Sequence, residues 1–329
     1  MKRRNFIRKS SQAALGLGLL GSMNLLSSCE NSAEESAQQA EQSADLFFKL
    51  SLAQWSFHKA LGLNDDKKVT LEHLDFAAKA RELGFEGVEY VTHFFQDKAE
   101  DEAYLAEMKK RAADNDIQSL LIMVDGEGDL AITDDEALRT KNIENHYRWV
   151  EAAHFLGCHS IRVNVFGTGT PGAMAEAAKD SLTRLSDYAA KENINILVEN
   201  HGGMSSNGNW MANVMKEVNL KNCGMLPDFG NFCVEREDGE RWGAKCIKEF
   251  DKYEGVELFM PYAKAVSAKS YNFDADGNET VIDYRKMMKI VKDGGYTGFV
   301  GVEYEGSEHT EEEGVKLTKA LLEKVGREI

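Results

Sequence analysis

Eight short apolar runs, alternating with amphipathic stretches from about residue 47 to the end, restrict this chain more than any other feature. The runs are 49–55, 87–91, 117–124, 160–166, 194–199, 223–228, 263–269 and 298–304. Helical patterns lie at 70–83, 134–156, 172–191, 281–293 and 309–327. In 70–83, Leu71, Leu74, Ala77 and Ala78 recur at helical spacing, and Gly84 follows as a stop. Strand followed by helical segment, eight times over, describes an α/β chain closed into a (β/α)8 barrel. An open doubly wound sheet would want a glycine-rich phosphate loop after its first strand, and "AQWSFHKALG" has none.

In such a barrel the chemistry sits at the carboxyl ends of the strands. The runs end in polar groups: Gln54 and then His58; Glu89 and His93; Arg162 and Asn164; Glu199, Asn200 and His201; Asp228; Ser267, Lys269 and Tyr271; Glu303 and Glu305. Their beginnings are apolar. Side chains alternate along a strand, so Glu199 and His201 share a face, as do Ser267 and Lys269, and Glu303 and Glu305. Val198, Val266, Ala268 and Val302 should then face the helices. Several carboxylates aimed into one mouth repel one another, and a divalent cation on oxygen ligands resolves that most economically. Trp55, Phe94, Phe95, Trp210 and Trp242 lie on or near the mouth loops, as an apolar platform or as core. His73, His146 and His154 fall within helical patterns and read as structural.

The N-terminus has a different character. Lys2, Arg3, Arg4, Arg8 and Lys9 precede a Gly- and Ala-rich apolar run from Ala13 to Leu26 that is too short and interrupted to span a bilayer. It reads as a secretory signal over 1–28. Arg3-Arg4 followed by Phe6-Ile7 resembles a twin-arginine signal, and "LSSC" at 26–29 a bacterial lipobox, with Cys29 the lipidated residue. Residues 29–46 are acidic and free of strong apolar pattern up to Leu46, which suits a flexible tether. The barrel would occupy 47–329. Export to the periplasmic side follows, with membrane attachment only through the lipid anchor.

The formal charge is −16, and loss of five positive charges with 1–28 takes it to −21. So acidic a surface repels phosphate backbones, which excludes nucleic acid as a natural partner. Cys158, Cys223, Cys233 and Cys246 show no metal-type spacing. Buried free thiols are expected in a domain this large, with one disulfide compatible with an oxidising compartment.

The chain resembles the sugar isomerase/epimerase superfamily with a xylose isomerase-like barrel, over about residues 49–328. The likeness rests on "VEN" at 198–200, "PDFGN" at 227–231, "AVSAKS" at 265–270 and "GYTGFVGVEYEG" at 295–306. It implies a divalent metal (Mn, Mg, Co or Zn) held by Glu199, Asp228 and Glu303, the two glutamates also exchanging protons with sugar carbons through an enediolate. The family's strand-7 histidine stands two residues before a lysine; here Ser267 stands two before Lys269. His201 or water would then supply the missing ligand, with His201 favoured. Catalysis would fall to Glu199, Glu303 and Lys269. Gln54, Glu89, His93, Arg162, Asn164, Asn200, Tyr271 and Glu305 are candidates for holding the substrate.

The function these features imply is isomerisation or epimerisation of a non-phosphorylated sugar or keto-sugar, since sugar phosphates are mainly cytoplasmic. A 3-keto-glycoside lyase acting by β-elimination is the alternative on the same barrel. A non-catalytic sugar-binding lipoprotein is a third, supported by Ser267. A DNA-repair endonuclease on the related barrel is disfavoured by charge, export and too few histidines. Homo-oligomerisation is compatible with all of them.

Overall fold

The computed structural model describes residues 45–329 apart from residue 65. The signal sequence, Cys29 and nearly all of the tether lie outside the described residues.

The eight expected strands all form. They are β1 Lys49–Ala53, β2 Gly87–Val91, β3 Gln118–Met123, β4 Ser160–Val163, β5 Asn195–Glu199, β6 Cys223–Leu226, β9 Val266–Ser270 and β10 Phe299–Tyr304, and they run parallel. Between β6 and β9 an antiparallel hairpin intervenes, β7 Cys233–Arg236 with β8 Cys246–Glu249. Sheet order is β6-β5-β4-β3-β2-β1-β10-β9. The ring closes between β6 and β9 through parallel bridges Met225 to Ala263 and Asp228 to Ser267. Ser267 N donates to Pro227 O at 2.9 Å there, and Phe229 N to Ser267 O at 3.1 Å.

Nine α-helices are present among the described residues: α1 Phe76–Glu82, α2 Glu102–Asp114, α3 Glu136–Asn145, α4 Tyr147–Leu156, α5 Pro171–Ala189, α6 Gly208–Val218, α7 Lys252–Phe259, α8 Tyr284–Asp293 and α9 Glu311–Glu328. Their starts are chemically marked. Thr170 caps α5 with a proline just inside, and Thr310 and Glu313 form a reciprocal capping box on α9. The expected single helix over 134–156 is two. The His146 ring nitrogen Nδ1 bonds Asn142 O at 2.7 Å, the carbonyl that its own backbone N–H would use in a continuous helix. That N–H turns instead to Ile143 O at 3.1 Å, and the helix breaks.

Val198, Val266, Ala268 and Val302 lie in the large apolar core between sheet and helices, as alternation predicted. A smaller apolar plug of Ala53, Val91, Leu121, Met123, Leu197, Leu226 and Ala265 fills the barrel interior. Gly306, two residues past the end of β10, sits at a close crossing, since a Cβ there would stand 1.8 Å from the backbone oxygen of Tyr271. Gly306→Ala is therefore expected to destabilise the fold by about 1–3 kcal/mol, read as a lowered urea midpoint with an unchanged slope.

Of the four cysteines in the barrel, Cys158 and Cys223 are buried free thiols as expected. Cys233 and Cys246 form the one disulfide found among the described residues, their Cα atoms 5.8 Å apart. Antiparallel pairing of β7 and β8, invisible in the sequence spacing, is what brings them together.

Candidate active site

Glu199 at the end of β5, Asp228 just past β6 and Glu303 in β10 converge at the carboxyl end of the barrel. One carboxylate oxygen from each lies within 4.8 Å of the other two, and all three residues are buried. Each is held separately. Asp228 Oδ1 accepts from the backbone N–H groups of Gly230 and Asn231, both at 2.8 Å. Glu199 Oε1 accepts from Asn231 Nδ2 at 3.3 Å. Glu303 Oε1 accepts from Lys269 Nζ at 2.8 Å.

Ser267 occupies the space between two of them. Its hydroxyl lies 2.9 Å from Asp228 Oδ2 and 3.0 Å from Glu303 Oε2. One hydroxyl proton can serve only one of those oxygens. The other contact sets lone pair against lone pair unless a proton or a cation intervenes. The position of the expected histidine is thus filled by a bridge between carboxylates.

Charge is unevenly balanced. Asp125, Glu199, Asp228, Glu303 and Glu305 stand around only two cations, Arg162 and Lys269. Lys269 lies 3.2 Å from Glu305 and 3.8 Å from Asp228 besides bonding Glu303. Arg162 Nη1 meets Asp125 Oδ1 at 2.7 Å, and its Nε lies 2.7 Å from Glu199 Oε2. That second approach is out of hydrogen-bonding alignment, so Glu199 Oε2 is a buried oxygen without a hydrogen-bond partner. Burial pushes Glu199 and Asp228 up from the usual carboxylate range, with neighbouring carboxylates adding to it. Glu305, though desolvated, is held low by Lys269, and Asp125, also desolvated, by Arg162.

An orphaned carboxylate oxygen, a serine hydroxyl facing two carboxylate acceptors and excess negative charge are the features of a divalent cation site. An all-oxygen donor set of Glu199, Asp228 and Glu303 fits a hard cation such as Mg²⁺ or Mn²⁺ better than a softer one. His201 is not brought into that cluster. Its Nδ1 bonds Asn164 Oδ1 at 2.8 Å, while Asn164 Nδ2 donates to Asp125 at 2.6 Å. Burial lowers His201 to about 4, so the ring is neutral with its proton on Nδ1. It orients Asn164 and Asp125, a different role from the expected ligand.

A cavity of about 780 Å³ opens above the cluster. Glu303 lines it, and Glu199 and Asp228 sit behind Arg162 and Asn231, which do. His93, Arg162, Asn164, Tyr271 and Glu305 line it as expected for substrate-holding groups. Gln54, Glu89 and Asn200 do not, and each has a structural task instead. Gln54 Oε1 accepts from Val91 N at 2.9 Å and ties β1 to β2. Asn200 exchanges two bonds with the Asp228 backbone, at 2.9 and 2.8 Å, and fixes the end of β6. Glu89 is buried in the barrel interior and accepts from Ser51 Oγ at 2.7 Å.

Burial pushes Glu89 up to about 8. Its folded form therefore keeps a proton that the unfolded chain releases near the ordinary value of 4.5. Stability from this group is full below that value and declines as pH rises through the folded one. In metal-free protein, Glu89→Gln should flatten the loss of stability between about pH 5 and 8, on the order of a few kcal/mol across the window. Urea unfolding at stepped pH measures it.

Asp125, Asn231 and the cavity-facing side of His146 were missed in the sequence. Asp125 follows β3 directly in "IMVDGEGD", the same strand-end position that marked the other acids. His146, expected to be structural, breaks its helix and lines the cavity. Of the mouth aromatics, Trp55 and Trp242 line it, Phe95 is core against Trp149 at 5.2 Å, and Trp210 bonds Pro171 O at 2.8 Å.

A family model described as the xylose isomerase-like TIM barrel matches residues 77–325. No curated protein matches in sequence. Solved structures of the same fold do. A xylose isomerase-like TIM-barrel protein from Mycobacterium smegmatis, in complex with magnesium, is 16% identical with a TM-score of 0.59, over 85% of this chain and 97% of its own. The 3-keto-D-glucoside 4-epimerase of E. coli is 15% identical with a TM-score of 0.62, over 84% and 98%. The D-psicose 3-epimerase of Clostridium cellulolyticum, with D-tagatose, is 14% identical with a TM-score of 0.58, over 85% and 96%.

Proposed function

The chain belongs to the xylose isomerase-like TIM-barrel family, and on that premise we propose that it is a carbohydrate isomerase or epimerase dependent on a divalent metal. The observation that carries this is the buried triad Glu199, Asp228 and Glu303 at the carboxyl end of the barrel. These three residues would hold the ion. A bound divalent cation would supply Lewis-acid polarisation of the substrate carbonyl and offset the local negative charge.

The chain's own groups supply the proton chemistry. Glu199 and Glu303 come from β5 and β10, with β6 and β9 between them, so they face the reaction space from separate sides, Glu303 directly and Glu199 past Arg162 and Asn231. One carboxylate takes the proton from the carbon beside the carbonyl, and the other, protonated beforehand, delivers its own proton to the opposite face of that carbon or to the adjacent carbon. Lys269, buried 2.8 Å from Glu303, orients that carboxylate for the proton transfer. Arg162 fixes Glu199 through its paired contact to Asp125.

A non-phosphorylated substrate is supported by the cavity's guanidinium groups, which are already engaged. Arg162 pairs with Asp125, Arg241 with Asp129 at 2.7 Å, and Arg236 with Ala244 O at 2.8 Å. Export and lipid attachment at Cys29 belong to the same proposal, supported by the N-terminal sequence and by a disulfide that suits an oxidising compartment.

The test is solvent-deuterium incorporation into aldoses, ketoses and 3-keto-glycosides, with Mn²⁺ or Mg²⁺ supplied. Deuterium at a carbon beside the carbonyl is expected. Deuterium together with release of the aglycone would assign the β-elimination alternative. No incorporation into any of these sugars would overturn the proposal.

A further inference from the structure

The hairpin β7–β8 is inserted between β6 and β9 outside the barrel sheet, and its Arg236, Arg241 and Trp242 line the cavity. Four contacts anchor its tip. Arg241 pairs with Asp129 at 2.7 Å, although 112 residues separate them, and its guanidinium lies 4.2 Å from the Phe166 ring centre. Trp242 packs on His201 with ring centres 4.6 Å apart and edge-on to Phe166 at 5.6 Å. Beneath the indole lies Gly202, whose φ of +97° strains any other residue, and a Cβ there would stand 3.6 Å from the ring. The Cys233–Cys246 disulfide closes the base of the hairpin. Despite these contacts Trp242 is 46% exposed and lines the cavity.

The cavity therefore has two unlike halves. One is made of Glu303, Lys269's neighbours and Tyr271. The other is a wall of Trp242 and Phe166 braced by Arg241. At about 780 Å³ it sits well inside the range of roughly 300–1,000 Å³ in which proteins enclose drug-sized ligands. A single sugar ring at the carboxylates would leave the far half unfilled.

We propose that Trp242 and Phe166, held over the mouth by the disulfide-closed hairpin, form an outer subsite for a second ring, and that the substrate is a glycoside and not a free monosaccharide. This rests on the carbohydrate reading of the inner site. The second ring is recognised by its flat apolar face, as a sugar or an aromatic aglycone, stacked on the indole. His201 couples the two halves: it touches Trp242 on one side and, through Asn164, Asp125 and Arg162, reaches Glu199 on the other.

The test is calorimetric titration of the full protein, with Mn²⁺ present, using methyl and phenyl β-glycosides of D-glucose, D-galactose and D-xylose as matched one-ring and two-ring probes. For at least one sugar the phenyl glycoside should bind about tenfold more tightly. Trp242→Ala should collapse that ratio to within about twofold of unity. The paired variant Cys233→Ser/Cys246→Ser, which leaves every cavity side chain in place, should shrink it in the same direction. Equal binding of both probes in the wild type, or a ratio that survives Trp242→Ala, would overturn the outer subsite while leaving the inner one standing. Binding of neither probe by any pair would overturn both.

Discussion

Replacing Glu303 by glutamine is expected to lower solvent-deuterium exchange by about 10²–10⁴-fold, the range for loss of a positioned acid–base group. The amide keeps the size of the side chain and still accepts from Lys269 through its oxygen, so the change removes charge and basicity more than packing. Glu303 lines the cavity, whereas Glu199 lies behind Arg162 and Asn231. Glu199→Gln should therefore also slow exchange, and its effect should carry a change in Arg162, whose Nε faces Glu199 Oε2 at 2.7 Å. Exchange in Glu303→Gln at the wild-type rate would remove Glu303 from the chemistry. Circular dichroism of both variants separates that outcome from unfolding.

The second large effect is on stability. Lys269 is buried and serves Glu303, Glu305 and Asp228 at 2.8, 3.2 and 3.8 Å. Removing one partner of a buried ion pair costs about 3–5 kcal/mol, because the remaining charge stays desolvated and unpaired. Lys269→Met should cost at least that in metal-free protein, since three carboxylates lose their shared cation together. A divalent ion at the triad would restore part of the compensation, so the variant's denaturation midpoint should rise with added Mn²⁺ more than the wild type's. A Lys269→Met protein as stable as wild type without metal would mean that the carboxylates are protonated and uncharged in the native state.

The fold was largely legible because its signal is repeated. Eight apolar runs bounded by helical patterns leave few alternatives, and β2 at Gly87–Val91 matches its expected span to the residue. Three helices went unread: α2, α6 and α7. Each begins at an Asp or Asn cap, Asp101, Asn207 or Asp251, but α6 opens on a glycine and α7 spans only eight residues. The hairpin was invisible for another reason. β7 and β8 are four residues each, charged and largely exposed, and only their pairing across the Cys233–Cys246 disulfide defines them.

The site was legible to the same extent. Alternation and strand-end position were enough to select Glu199, Asp228, Glu303, Lys269, Arg162 and Asn164. They could not tell an acid that faces the cavity from one sealed in the interior, which is the difference between Glu303 and Glu89. Parity put His201 beside Glu199, yet the chain leaves the strand after Glu199 and turns at Gly202. His201 consequently meets Asn164 and Trp242 and not the triad. Ser267 is the most informative departure, since a hydroxyl between two carboxylates changes the donor set from mixed nitrogen and oxygen to oxygen alone.

Metal binding tests the central claim most directly. Titration of metal-stripped protein with Mn²⁺, followed by calorimetry and checked by elemental analysis, should give one site per chain. Asp228→Asn, which keeps the side chain's shape, should weaken that site by at least about 100-fold. Failure of the wild-type protein to take up Mn²⁺ or Mg²⁺, or equal binding in Asp228→Asn, would contradict a metal centre at Glu199, Asp228 and Glu303.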